Sequence, residues 1–476
     1  MSTPKLNLTS LGSINADGSH RRLHPADVAG KFTFLRRTVA LLLLVVYVVL
    51  PWIPIKGHPA VFLDVASRRF HFFGLTFATQ DMWVAFFFVT GLAFSLFFVT
   101  ALFGRVWCGW TCPYTVFLEH VYRRVERWID GDANARRRLD AAPWTAQKVS
   151  KRLLKHSLFL LISGLIAHLF LSYFVSIKGL YQMMQGPPRE HLLAFGIVSF
   201  LTLALYGSFS WFREQFCVIM CPYGRLQSAL TDDNSLVIGY DAKRGEPRGK
   251  VTDPNAGACV SCNRCVQVCP TGIDIRNGLQ LECIGCAACV DACDDIMTKV
   301  KRPTGLIRYD SYNGFQGQKT RLIRPRTVFY SAILLVGFTA FTLAFRSIVP
   351  VRASAVRMPG APYYVVDGMV RNQFLIRVIN KRSETARFAF TMEGEISPNW
   401  KVSGLTETME LPALAEEQQV LVVAVPEAEF QGKTTLQVRV TDVETGASSV
   451  TRAMEMLGPD PRLKTMGTLN AKDFVQ

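Results

Sequence analysis

Twelve cysteines carry the chemistry available to this chain, and they fall into four short runs. Two of them, CVSCNRCVQVCP from Cys259 to Pro270 and CIGCAACVDAC from Cys283 to Cys293, share the spacing Cys-x2-Cys-x2-Cys-x3-Cys. Bacterial ferredoxins hold two [4Fe–4S] clusters with this spacing: three close thiolates wrap one cubane, and the fourth reaches its neighbour. The rule assigns Cys259, Cys262, Cys265 and Cys293 to one cluster, and Cys283, Cys286, Cys289 and Cys269 to the other. Zinc also accepts Cys-x2-Cys steps, but two complete four-cysteine runs exceed what tetrahedral zinc requires. Asp294 stands where a proline would close the second run, which leaves the turn geometry there open. Clusters of this kind move single electrons, so the segment reads as an electron relay.

The other two runs form a repeat. FGRVWCGWTCPYTVF, residues 103–117, aligns without a gap with FREQFCVIMCPYGRL, residues 212–226, at an offset of 109. Cys108 with Cys112, and Cys217 with Cys221, stand at i and i+4, so each pair is expected to present two sulfurs from one helix face. The proline that follows pushes the second cysteine out of helical geometry, so each helix is expected to break there. Soft thiolates favour Cu(I), zinc and iron–sulfur centres, and a two-plus-two sulfur site suits a copper ion passing from Cu(II) to Cu(I). Disulfide cycling is a second redox use, and four inert thiols packed at helix ends are the structural alternative.

The elements that must position these sulfurs are membrane helices. The chain of 476 residues is 49% hydrophobic, and five stretches are long and apolar enough to span hydrocarbon: 34–53, 82–103, 158–175, 192–211 and 328–349. The first thirty residues are polar, and no cleavage site follows the first apolar run, so that helix is expected to remain as an anchor. Orientation follows the basic residues. Arg36 and Arg37 flank the first span, eleven lysines and arginines crowd 104–156, and Arg321, Arg324 and Arg326 precede the last span. Lys56, Arg68 and Arg69 in 55–81, and Lys178 with Arg189 further on, mark the sparse outer side. This gives an inner amino terminus, five crossings and an outer carboxyl terminus, with all cysteines in the cytoplasm, where thiols stay reduced. The net charge of +16 is largely this bias, and membrane lipids with anionic headgroups are its expected partner. The basic residues lack the aromatic interleaving of a nucleic-acid surface, so no nucleic acid is expected.

The expected organisation is a cytoplasmic tail, 1–33; transmembrane helices one to four, 34–212, with a basic cytoplasmic loop at 104–156; a cytoplasmic 2[4Fe–4S] ferredoxin insert, 213–326; transmembrane helix five, 327–349; and a periplasmic domain, 350–476. In that last segment the apolar period becomes two, as in NQFLIRVIN, ARFAF, QQVLVVAVP and TLQVRVTDV, which predicts an all-β sandwich of immunoglobulin-like shape. It holds no cysteine, histidine or phosphate-binding loop and reads as an outward docking module. The fold class is thus a multi-pass α-helical membrane protein with a bacterial-type ferredoxin insert and a C-terminal sandwich. His168 lies inside the third span and reads as a helix-packing hydrogen bond or a group handling quinone or protons. No second histidine stands at a similar depth, which excludes a haem held by two helices. Glu119 and His120, just after the first CPY, read as a solvated helix face.

CGWTCPYTVFLEH, its echo CVIMCPYGRLQSAL, the ferredoxin runs, and IDIRNGLQLECIGCAACVDACDDIM through GLIRY resemble the CcoG, FixG or RdxA family of cytochrome c oxidase accessory proteins. The resemblance covers nearly the whole chain. It implies a bacterial inner-membrane protein that reduces Cu(II) to Cu(I) on the cytoplasmic side during maturation of cbb3-type oxidase. It also implies oxidase assembly factors or copper chaperones as partners and a separate electron donor. Carried onto this chain, the copper-linked thiols are Cys108, Cys112, Cys217 and Cys221. The alternatives keep the parts and change the ends: a relay oxidising quinol, or a scaffold for oxidase assembly without redox chemistry.

Overall fold

The computed structural model describes residues 22–459 apart from 56, 79–81, 347–350, 383, 395, 414, 431 and 433. Most of the 1–33 tail and the end of the 350–476 domain lie outside the described residues. The chain divides into two units. One joins the residues up to Asp64 to Ala85–Ala340, and the other joins Val65–Val84 to the residues from Phe341 onward.

Five helices are long and apolar enough to cross a membrane: Lys31–Trp52, Met82–Phe103, Ala146–Val175, Pro188–Phe212 and Pro325–Arg346. Their large apolar side chains point outward, with Leu193 78% exposed and Phe200 71%. An aqueous helix would bury such a surface, so this is a multi-pass membrane protein. Hydroxyls inside the spans are satisfied locally. Ser95 donates to the Gly91 carbonyl at 2.8 Å and Ser163 to the Phe159 carbonyl at 2.8 Å. The His168 ring donates to the carbonyl of Gly164 on its own helix at 2.7 Å, so it makes a hydrogen bond within the helix.

The basic segment 104–156 is not a loop. It folds into Val106–Trp110, Pro113–Phe117, the wide turn Leu118–Tyr122, Arg123–Asp130 and Ala133–Ala141, and Ala146–Val175 begins within it. The third span therefore starts twelve residues before the apolar run at 158, because Thr145 caps the helix by accepting from the Lys148 N–H at 3.3 Å. Many charges of this segment are internal. Arg213 forks onto Glu126 at 2.9 and 3.0 Å, Arg123 reaches Glu214 at 2.8 Å, and Lys155 reaches Asp130 at 2.5 Å, all in buried surroundings. Glu119 is half-buried, paired with Arg123 and facing Arg36 at 3.8 Å, which corrects its reading as part of a solvated face. Charge counting along a sequence cannot see most of this, because Arg36, Arg213 and Glu214 come from distant elements.

In the insert, Val237–Tyr240 pairs antiparallel with Ile307–Asp310. A core of Ile238, Ile273, Ile275, Val290, Met297 and Leu306 encloses the cysteine runs.

The second unit contains two five-stranded sheets. One runs Lys401–Ser403, Glu416–Pro426, Met369–Asn380, Val351–Arg357, with Tyr364–Val366 also on Met369–Asn380. The other runs Thr408–Leu411, Ala386–Glu393, Thr434–Asp442, Ser448–Val450, with Met454–Met456 also on Thr434–Asp442. The period-two pattern predicts which side chains face inward: Val370, Phe374, Ile376 and Val378 from one strand meet Leu436, Val438 and Val440 of the other sheet in one core.

Candidate electron-transfer site

The two ferredoxin runs fold alike. In each, the residue before the second cysteine and the residue after it adopt the left-handed conformation: Ser261 and Asn263 in the first, Gly285 and Ala287 in the second, with φ between 54 and 66°. These reversals wrap three cysteines about one point and open a short helix, Arg264–Gln267 or Ala288–Lys299. The first helix stops before Cys269 and Pro270. The second continues through Cys293 because Asp294 lacks a proline's constraints and its carboxylate accepts from the Gly305 N–H at 2.8 Å. That settles the geometry at the departure from the ferredoxin pattern.

The fourth cysteine of each run crosses to the other. Burial pushes the Cys293 thiol up to about 12, and the neighbouring sulfurs of Cys265, Cys262 and Cys259 add to this. Cys283 is pushed up to about 12 by burial, with Cys286 and Cys269 beside it. Cys289 rises well above the usual thiol value through burial and through Cys286, Cys283, Cys269 and Cys265. Cys269 thus acts on the second run and Cys293 faces the first, the crossing that the spacing leads one to expect. A cavity lies among Cys269, Cys283, Cys286 and Cys289, with Cys265 also on its wall, closed by Ile273 and Ile284. Buried thiols that water cannot stabilise, arranged around an apolar hole, fit a group that replaces their protons with iron. These residues therefore suit two [4Fe–4S] clusters.

The CPY repeats also adopt one geometry, though not a regular helical i, i+4 pair. Cys108 sits in the helix Val106–Trp110, but Cys112 lies outside it, with φ −57° and ψ 121°. Cys221 matches at −70° and 110°. The N–H of Cys112 donates to the Trp107 carbonyl and that of Cys221 to the Phe216 carbonyl, both at 2.9 Å and both five residues back. Each chain then restarts as a helix with proline in its first turn. The expected break is present, and it turns the second sulfur away from a shared helix face.

Tertiary contacts make one site of the two copies. The Tyr114 hydroxyl donates to the Arg213 carbonyl at 2.6 Å, and its ring stacks between Phe209 and Phe216. Reciprocally, Tyr223 meets Thr100, on the helix before the first copy, at 2.5 Å. Gln227 donates to the Cys108 sulfur at 3.4 Å. Burial pushes Cys108 up to about 11, with Cys112 and Cys221 contributing, and Cys217 up to about 12, with Cys112, Cys108 and Cys221 contributing. The Arg105 guanidinium opposes both shifts. All four sulfurs share one neighbourhood, although no three histidine, cysteine or carboxylate groups among the described residues close on a single-ion position.

The rim site is built against the second ferredoxin run. A Cβ on Gly109 would lie 2.6 Å from the Ile284 carbonyl oxygen and 2.9 Å from the Cys286 backbone, so only glycine fits between the two rim cysteines of the first copy. Trp110 Nε1 donates to the Gly285 carbonyl at 3.2 Å, and the Tyr309 hydroxyl donates to the same oxygen at 2.6 Å. Arg105 donates to the carbonyls of Leu281 and Gly224, tying the cluster loop to the second CPY turn. Sequence reasoning missed Arg105, Gly109, Gln227 and Tyr309 as site residues. A glycine directly after the first rim cysteine was the one signal that could have exposed Gly109, and nothing local marks the others.

Known proteins share these parts. Residues 212–312 match a family profile described as a 4Fe–4S dicluster domain, 82–131 one described as a 4Fe–4S binding domain, and 341–459 one described as an IG-like fold at the C-terminal of FixG. The chain is 36% identical over 438 residues to the nitrogen fixation protein FixG of Rhizobium meliloti, covering 81% of each chain. It is 35% identical to protein RdxA of Cereibacter sphaeroides, over 80% of this chain and 84% of that one. To protein RdxB of the same organism it is 34% identical, over 89% and 93%.

Proposed function

Since the chain belongs to the FixG family of membrane-bound iron–sulfur electron-transfer proteins, we propose that it reduces Cu(II) to Cu(I) at the rim thiols Cys108, Cys112, Cys217 and Cys221. The supporting observation is the seat of Gly109 on the backbone of Cys286, which gives the rim turn and the second cysteine quartet a common wall. Clusters held by Cys259, Cys262, Cys265 and Cys293, and by Cys283, Cys286, Cys289 and Cys269, would supply single electrons there.

Copper enters as the substrate. Soft sulfur donors stabilise Cu(I) over Cu(II), so binding at thiolates favours the one-electron reduction. Cys108 and Cys217 are protonated thiols before metal arrives, because burial raises both, so capture of the ion releases protons. Arg105 lies close enough to favour their charged forms. The sulfurs must also draw together, and the non-helical joints at Cys112 and Cys221 are where the turns can move.

In this reading the insert and the amino terminus face the cytoplasm of a bacterial inner membrane and the sandwich faces the periplasm, as the arginine distribution supports. The Cu(I) formed serves maturation of cbb3-type cytochrome oxidase through assembly factors or copper chaperones. The test is anaerobic titration of reduced, purified protein with Cu(II), following cluster oxidation and Cu(I) appearance together. One Cu(I) should form per electron lost, and Cys108→Ser with Cys217→Ser should abolish it. Quinol oxidation that survives this double variant, with no Cu(I) formed by the wild type, overturns the copper reading.

A further inference from the structure

The cysteines are not the only chemistry near the second quartet. Beside it lies a cleft open to solvent, walled by Arg36, Arg37, Arg123, Arg124, Arg127 and Arg136. Among the described residues, its wall carries two carboxylates, Asp27 and Glu119. Val268, Pro270 and Ala288 close its inner end, so it reaches residues next to Cys269 and Cys289.

Its arginines are incompletely satisfied. Arg36, Arg123 and Arg136 are 7%, 6% and 3% exposed, yet the Nε of each is buried with no hydrogen-bond partner among the described residues. Arg37 and Arg124 make no ion pair with any described residue, and they repel one another. Glu119 and Glu214 answer Arg123, Glu119 also faces Arg36, Asp27 answers Arg127, and Glu126, already held by Arg213, lies 3.8 Å from Arg136, so six guanidinium groups share four carboxylates. His120 adds no negative charge and is held neutral, lowered to about 4 by burial and by Arg36. Crowding guanidinium groups with too few anions is costly, and buried donors left empty add to that cost. Such a wall is stable when an anion completes it, and planar guanidinium forks match the oxygens of phosphate.

We propose that this cleft is a binding site for a phosphate-bearing ligand, seated beside the second cysteine quartet. Two sources share the chemistry: the phosphate of a soluble molecule and the headgroup of an anionic lipid at the start of the first span. The site is independent of the copper reading, because it rests on arginines that touch none of the rim thiols. A soluble phosphate compound held here would be positioned next to Pro270 and Ala288, and a headgroup held here would pin the insert to the bilayer surface.

The test uses full-length protein, purified anaerobically with its clusters and placed in phosphatidylcholine nanodiscs with or without phosphatidylglycerol. Inorganic pyrophosphate is titrated by calorimetry, and retained lipid is read by native mass spectrometry. Saturable pyrophosphate binding in phosphatidylcholine alone identifies a soluble source. Retention of phosphatidylglycerol that blocks pyrophosphate identifies a headgroup. In either case Arg37→Gln with Arg124→Gln should weaken binding roughly tenfold or more, while Arg37→Lys with Arg124→Lys retains most of it and iron content is unchanged in both. No saturable binding of either probe, or equal binding by the glutamine variant, overturns the proposal.

Discussion

The two cysteine assemblies of this protein are built in opposite ways. In the insert, eight cysteines occupy 35 consecutive residues, 259–293, and their grouping follows from local reversals at Ser261, Asn263, Gly285 and Ala287. At the rim, four cysteines come from copies 109 residues apart, and reciprocal contacts of Tyr114 and Tyr223, with Gln227 and Arg105, bring them together. A locally encoded site tolerates disturbance of distant packing. A site assembled by packing does not, and its geometry can change when a substrate arrives.

The largest effects come from the sulfurs. Cys289→Ser should remove one cluster, lowering bound iron by about half and abolishing Cu(II) reduction, whereas Cys217→Ser should leave iron unchanged and still abolish reduction. Iron analysis beside the copper titration reads both, and loss of iron in the rim variant would break the distinction.

Next is the ionic joint that carries the second copy. Arg213→Leu leaves the buried Glu126 carboxylate without its bidentate partner, a cost of about 3–5 kcal/mol. Thermal unfolding in detergent should show the loss, and thiol labelling should show looser rim cysteines at unchanged iron content.

A smaller effect is expected at the wall between the assemblies. Gly109→Ala drives a methyl group into the Ile284 carbonyl and the Cys286 backbone, an overpacking cost of about 1–3 kcal/mol. Single-turnover Cu(II) reduction should slow while iron is retained, and an unchanged rate would separate the rim from the second quartet.

The smallest is a pH effect. Burial alone would raise the Glu126 carboxyl, but Arg213 outweighs it and holds the group well below the ordinary carboxylate range. A depressed folded-state value stabilises the protein above the unfolded value near 4.5 and is lost only as pH falls through the lower one. The melting-temperature gap between wild type and Glu126→Gln should therefore stay flat from about pH 8 to 5 and narrow only in stronger acid.

Much of the molecule was legible before its structure. Apolar length set the five spans, period-two alternation set the sandwich strands, and x2-x2-x3 spacing set the two quartets, because each is a short-range rule of covalent geometry and solvent. Reading 104–156 as a basic loop failed because the segment is helical and its charges are paired, some locally, as Glu119 with Arg123 and Asp130 with Lys155, and some with remote residues, as Glu126 with Arg213 and Arg123 with Glu214.

The sequence by itself determined which sulfurs exist, that the ferredoxin spacing occurs twice, and that the CPY motif occurs twice. Only the tertiary structure decided that the two copies form one rim site, that Gly109 rests on Cys286, and that six arginines line a cleft beside it. The physical reason is range. Backbone reversals and hydrophobic periods act over a few residues, whereas sharing a carbonyl, a guanidinium or a cavity requires segments that meet only after the chain has folded.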